Sequence, residues 1–207
     1  NGYNQGYAAL DIVKASRQIP YSPFSYSDKV VVWGYSQGGQ TAPWAGQLQP
    51  SYMPDLNLVG VIAGGIPADL IDVQRVQDGG PGAVYLLAYL VGLFYQYPNE
   101  VPLLDLVTEG GRAAFEGAMD FCLWDGVKIY LHVGTKDLTK DGLTIDDLIE
   151  KFPRVAAISE SMKLGKSPIN APVYLYSGSA DAFTPMDQAL DLKEAYCEMG
   201  MDVSFQV

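Results

Sequence analysis

The junction at residues 30–38 constrains this chain more than any other stretch. Val30-Val31-Val32-Trp33 is an unbroken apolar run, the pattern of a strand buried on both faces. It stops at Gly34, and Gly34-Tyr35-Ser36-Gln37-Gly38 fits G-x-S-x-G. From Gln37 the sequence reads as a helix through Leu48, with Pro50 beyond it. A strand passing into a helix through so short a turn forces its central residue into strained backbone geometry, which lifts the Ser36 hydroxyl clear of the sheet. Gly34 and Gly38 are expected to remove the Cβ atoms that would block the strand–helix approach. The pentapeptide alone is a weak signal, because Gly and Ser are common. The bland reading is a glycine-rich turn without chemistry; the flanking strand and helix favour a nucleophile.

In that setting Ser36 is the nucleophile. The helix after it points its free N–H groups and positive dipole end at the site, so the Gln37 N–H is the expected oxyanion donor. In hydrolases of this type the order is serine, then acid, then histidine. Asp181 is the candidate acid: Val173–Tyr176 reads as a strand, Ser177-Gly178-Ser179-Ala180-Asp181 follows it, and Pro185 opens the next helix. The plain alternative for Asp181 is a turn or cap residue, and Asp187 is a weaker rival inside the helix. The single histidine, His132, precedes Asp181 and reads as a structural residue rather than the base. The base and the second, upstream oxyanion donor are expected outside residues 1–207. The fold is therefore expected to be truncated at both ends and inactive on its own.

The rest of the chain supplies a frame for these residues. Apolar positions between Gly6 and Ile19 make an amphipathic helix ended by Pro20. Further buried strands are expected at Leu58–Ala63 and Val203–Val207, with a helix from Pro185 to Met199. Strands alternating with helices imply an α/β fold with a mostly parallel sheet and right-handed crossovers. The segment between the second and third strands far exceeds what a crossover needs. The expected organisation is a hydrolase core at 1–66, a helical insertion at 67–167 and the second part of the core at 168–207. Within the insertion, helices are expected at Leu70–Val76, Ala83–Tyr97 and Arg112–Phe121, and another from Thr144. Val127–Val133 alternates like a short strand.

Composition narrows the function. The 207 residues are 48% apolar and carry a net charge of −11, so the chain supports a sizeable core and repels a phosphate backbone; nucleic acid is not an expected partner. The longest apolar stretch, 83–97, falls short of the ~20 residues that cross a bilayer, so no transmembrane segment is expected. Cys122 and Cys197 pair with each other, pair outside the chain, or remain buried thiols.

Two runs resemble a known family. VVVWGYSQGGQTAPWAGQLQPSYMPDLNLVGVIAGGIPADL (30–70) and NAPVYLYSGSADAFTPMDQALDLKEAYCEMGMDVSFQV (170–207) are similar to the secretory lipases, the group of Candida antarctica lipase A and actinobacterial secreted lipases. The resemblance implies an α/β-hydrolase core with a large, mostly helical cap, acting outside the cell on triacylglycerols or simpler esters without metal or cofactor, with a lipid–water interface as a partner. Carried over by position, Ser36 is the nucleophile, Asp181 the acid and Gln37 an oxyanion donor. Cutinases share G-Y-S-Q-G but are uncapped and hold the acid much nearer the serine. In the insertion, the helix around Leu90 and Phe94 is apolar nearly all round; these two residues are candidates for an acyl-binding surface, ordinary cap core being the alternative. The other functional readings are a short-chain esterase or acyltransferase, and a non-catalytic protein binding an apolar ligand on a hydrolase scaffold.

Overall fold

A computed structural model describes residues 2–120 and 122–207. The chain divides into two compact units, residues 1–69 with 162–207, and residues 70–161. The boundaries lie a few residues from those expected at 66/67 and 167/168.

In chain order, the first unit opens with α1 (Gly2–Gln18), β1 (Val30–Tyr35), α2 (Gln37–Tyr52) and β2 (Leu58–Gly64). The second unit follows with α3 (Leu70–Gln77), α4 (Ala83–Gln96), α5 (Leu103–Leu106), α6 (Glu109–Gly117), α7 (Leu123–Ile129), α8 (Thr135–Leu138), α9 (Ile145–Lys151) and α10 (Pro153–Ser161). The chain then returns to the first unit as β3 (Val173–Tyr176), α11 (Met186–Glu198) and β4 (Val203–Gln206).

The four strands form one all-parallel sheet in the order β1-β2-β3-β4. Right-handed crossovers between strands in sequential order put their helices on a single face. Consistent with this, Tyr196 of α11 donates its hydroxyl to Gln47 Oε1 of α2 at 3.2 Å. Leu10, Ala45, Val61, Leu175, Leu192 and Tyr196 form the core beneath those helices. Complete burial of a leucine such as Leu10 contributes about 1.5–3 kcal/mol.

The opposite face corrects the expectation that β1 is buried on both sides. Its exposure alternates along the strand, and Trp33 is 71% and Val31 51% exposed. With the crossovers all on one face, no helix among the described residues of this unit covers the other. A second difference is the length of α2, which continues past Leu48 and carries Pro50 inside. The missing proline N–H costs one helical bond. The end of the helix is secured by the Met53 N–H on the Gln49 carbonyl at 2.9 Å and by the Gln49 side-chain amide, which donates to the Met53 carbonyl at 2.9 Å.

The second unit is helical throughout its regular structure. Arg75 of α3 binds Asp72 at 2.6 Å and Asp146 of α9 at 2.8 Å, and the Tyr89 and Ser159 hydroxyls join α4 to α10 at 2.6 Å. The strand expected at 127–133 is instead α7 and the turn after it. Gly126 N–H bonds the Cys122 carbonyl and Tyr130 N–H bonds the Gly126 carbonyl. A few alternating residues do not make a strand without a partner to pair with; outside the four strands, the described residues show one isolated bridge, Val107 with Thr139. The helix expected from Arg112 begins earlier, where the Thr108 hydroxyl accepts the Gly111 N–H at 2.9 Å. Phe121, at the end of that expected helix, lies outside the described residues.

Cys122 and Cys197 are both exposed and free, so neither a bridge between them nor a buried thiol is formed. Among the described residues no helix is long and apolar enough to cross a membrane.

Candidate active site

Ser36 stands between β1 and α2 with φ 55° and ψ −117°. A non-glycine residue at positive φ costs on the order of 1–3 kcal/mol and persists only where its surroundings enforce it. Here two bonds enforce it. The Ser36 N–H donates to the Gly64 carbonyl of β2 at 2.9 Å, and the Ser36 carbonyl accepts the Gln40 N–H at 3.0 Å, closing the first turn of α2. Gln40 is itself buried and donates its side-chain amide to the Pro67 carbonyl at 3.1 Å. Ser36 and Gln37 remain exposed. As the first residue of α2, Gln37 has an N–H with no acceptor inside the helix.

Two glycines make the bend this tight, and one of them was not anticipated. A Cβ on Gly34 would lie 2.1 Å from the Gly38 carbonyl oxygen, and one on Gly39 would lie 2.2 Å from the Gly64 carbonyl oxygen. A Cβ on Gly38 would meet nothing within 4 Å. The steric role expected of Gly38 therefore belongs to Gly39, whose neighbour is the β2 backbone rather than β1.

Asp181 lies in the turn between β3 and α11. Its Oδ1 accepts the backbone N–H groups of Phe183 at 2.9 Å and Thr184 at 3.0 Å. Its Oδ2 accepts the Tyr35 hydroxyl at 3.3 Å. The carboxylate therefore sits within hydrogen-bonding distance of the residue immediately before Ser36. Burial, followed by the Asp181 carboxylate, raises the Tyr35 phenol above its ordinary pKa and keeps it a donor. Asp187 lies exposed in the first turn of α11. His132 belongs to the second unit, has φ 62° and places Nδ1 3.1 Å from the Gly79 carbonyl oxygen.

The second unit contains an apolar cavity of about 70 Å³, lined by α4, α9 and α10 among others, with Leu90, Leu93, Leu148 and Phe152 in its wall. Leu90 is one of its lining residues. Phe94 does not line the cavity and packs edge-on against Tyr95, the ring centres 5.4 Å apart.

The family model for secretory lipases matches residues 1–207. The chain belongs to the secretory lipase family. Among its relatives, the secreted triacylglycerol lipase LIP4 of Malassezia globosa is 29% identical over 208 residues, covering 98% of this chain and 45% of that protein. Lipase 5 of Candida albicans is 30% identical over 209 residues, 97% of this chain and 44% of the relative. Candida antarctica lipase A in its closed state superposes with a TM-score of 0.88 at 27% identity, over 99% of this chain and 48% of that one. The rice cell wall degrading esterase LipA of Xanthomonas oryzae superposes at 0.75 with 19% identity, over 96% of this chain and 54% of that one, a likeness of fold alone. This secretory lipase chain thus spans about half the length of the curated relatives it matches.

Tyr35 escaped the reading of the motif because it occupies the unspecified second position of G-x-S-x-G. Only the register of β1 against β2 and β3 brings its hydroxyl to Asp181.

Proposed function

We propose that this chain carries the nucleophile and acid of a secreted serine ester hydrolase acting on triacylglycerols or simpler carboxylic esters. The observation that carries the reading is the exposed Ser36 at φ 55°, with the Asp181 carboxylate bonded to its neighbour Tyr35. Such a serine is presented to an ester carbonyl at no further cost in reorganisation.

In this reading Ser36 Oγ attacks the carbonyl carbon and passes its proton to an imidazole. His132 is engaged with Gly79 in the second unit, so the base is a histidine contributed by polypeptide outside residues 1–207. Asp181 orients that imidazole and stabilises its cation. The tetrahedral oxyanion is held by the Gln37 N–H at the start of α2, where the helix dipole adds to the hydrogen bond. The imidazolium returns its proton to the departing alcohol. Water, deprotonated by the same imidazole, then cleaves the acyl-serine ester and frees the carboxylic acid. No metal or cofactor enters these steps.

The second unit answers to the helical cap that secretory lipases carry, and its apolar cavity suits the acyl chain of an ester. A cavity of 150 Å³ holds a benzene ring, so about 70 Å³ has room for a few carbons of a chain.

The test is labelling of the full polypeptide with a fluorophosphonate, alongside hydrolysis of a triacylglycerol emulsion. The label is expected on Ser36, and both label and hydrolysis are expected to vanish in Ser36→Ala. Labelling of another residue, or hydrolysis that survives Ser36→Ala, overturns the assignment.

A further inference from the structure

Asp181 has two oxygens with different duties. Oδ1 is taken up by two backbone N–H groups of its own turn. Those bonds fix the carboxylate to the β3–α11 loop but not to the elbow. Oδ2 is the oxygen left to serve an imidazole, and among the described residues its hydrogen-bond donor is the Tyr35 phenol. Tyr35 is the last residue of β1 and is joined to Ser36 by one peptide bond. The phenol is thus a strut between the nucleophile's loop and the acid's loop.

The strut crosses β2. Two strand spacings are about 9–10 Å, and β2 ends beneath the crossing at Gly64, with Gly65 directly after it. A Cβ on Gly65 would lie 2.8 Å from Tyr35 Cζ and 3.0 Å from its hydroxyl oxygen. Gly65 also has φ 52°, so a side chain there is disfavoured twice. A Cβ on Gly64 would lie 2.1 Å from Cζ of Tyr176. The Tyr176 ring lies beside that of Tyr35, centroids 6.0 Å apart, and its hydroxyl accepts the Trp33 indole N–H at 3.3 Å. The strand between nucleophile and acid therefore ends in one residue without a side chain and is followed by another, and a pair of tyrosines occupies the space.

We propose that Tyr35 is a positioning residue, its phenol laid across Gly65 to hold the Asp181 carboxylate in register with Ser36. The inference rests on the hydrolase reading above. It specifies that the second position of the motif in this chain requires a hydroxyl-bearing aromatic and that the end of β2 requires glycine.

The experiment is a double-mutant cycle in the full polypeptide, read on a soluble short-chain ester and on the rate of Ser36 phosphonylation by a fluorophosphonate. Tyr35→Phe keeps the ring and removes the donor. It is expected to lower kcat and the phosphonylation rate roughly tenfold, as suits one hydrogen bond to a charged group, with KM nearly unchanged. In an Asp181→Asn background the same substitution is expected to cost little more, because the group it positions is already altered. Gly65→Ala is expected to reproduce the loss by displacing the phenol. Tyr35→Phe with wild-type rates, or a loss that persists in full on the Asp181→Asn background, overturns the inference while Ser36 labelling of the wild type leaves the hydrolase reading intact. Absence of Ser36 labelling in the wild type sinks both.

Discussion

Ser36 and Gly64 are joined by a 2.9 Å bond from the serine N–H to the glycine carbonyl. The same carbonyl oxygen is the nearest neighbour of a Cβ built on Gly39, at 2.2 Å. One peptide group of β2 therefore fixes the strained serine and leaves no space beside α2. Gly39→Ala and Gly34→Ala each push a methyl group into backbone, which cannot swing aside. Each is expected to destabilise the fold by about 1–3 kcal/mol or more. Gly38→Ala is expected to stay within about 1 kcal/mol of wild type, since its Cβ meets nothing and the residue is helical. Denaturant titration of the three variants checks the order. A Gly38→Ala variant as unstable as the other two would contradict the assignment of the close contacts.

Asp181→Asn tests the acid without dismantling its turn. The amide oxygen still accepts the N–H groups of Phe183 and Thr184 that Oδ1 accepts now. What is lost is the charge that stabilises an imidazolium, and with it the correct tautomer. A fall in kcat of about 10³–10⁴-fold is expected, with little change in melting temperature. Asp187→Asn, exposed at the start of α11, is expected to change kcat less than twofold. Steady-state rates on a soluble ester decide between the two; comparable losses would return Asp187 to consideration.

The cavity separates Leu90 from Phe94. Leu90→Trp fills space that Leu90 lines, whereas Phe94→Leu alters a side chain packed on Tyr95 outside it. In the full polypeptide, Leu90→Trp is expected to lower the ratio of long-chain to acetate ester hydrolysis about threefold to tenfold, a change of roughly 1 kcal/mol. Phe94→Leu is expected to leave that ratio unchanged. A ratio unaffected by Leu90→Trp would detach the cavity from acyl binding.

What the sequence made legible follows from the range of the forces involved. The bend at Ser36 was readable because a valine run, two glycines and a helical pattern are local signals. The four strands were readable for the same reason, and so was the start of a helix at Thr144. Gly39 was not, because its constraint is the Gly64 carbonyl of another strand, set by register and not by neighbours in sequence. The link from Tyr35 to Asp181 was hidden likewise: it depends on two glycines, one ending the strand that lies between them and one directly after it. Along α4, apolar residues on nearly every side left no periodicity to tell Leu90 from Phe94. At 127–133, alternation over so few residues fitted a strand, yet no described strand stands beside it to pair with.

Thr144 and Asp147 make the last prediction, a local one at the start of α9. Asp147 Oδ2 accepts the Thr144 N–H at 2.8 Å and the Thr144 hydroxyl at 2.7 Å, while the Asp147 N–H donates back to that hydroxyl at 3.3 Å. This reciprocal capping box satisfies amides that the first turn of a helix leaves open. The Thr144 hydrogen bonds lower the Asp147 carboxyl below its ordinary value. A depressed acid stabilises the folded form above its unfolded pKa, ~3.9 for an ordinary aspartate, and that contribution is lost as pH falls through the lower folded value. Hydrogen exchange of the α9 amides is the suitable readout, because it reports the opening of this helix separately from the rest of the chain. Asp147→Ala is expected to speed that exchange at neutral pH, and the difference from wild type, after correction for intrinsic rates, is expected to shrink on acidification below about pH 4. A difference that stays constant through that range would show that the carboxylate charge is not what holds the cap.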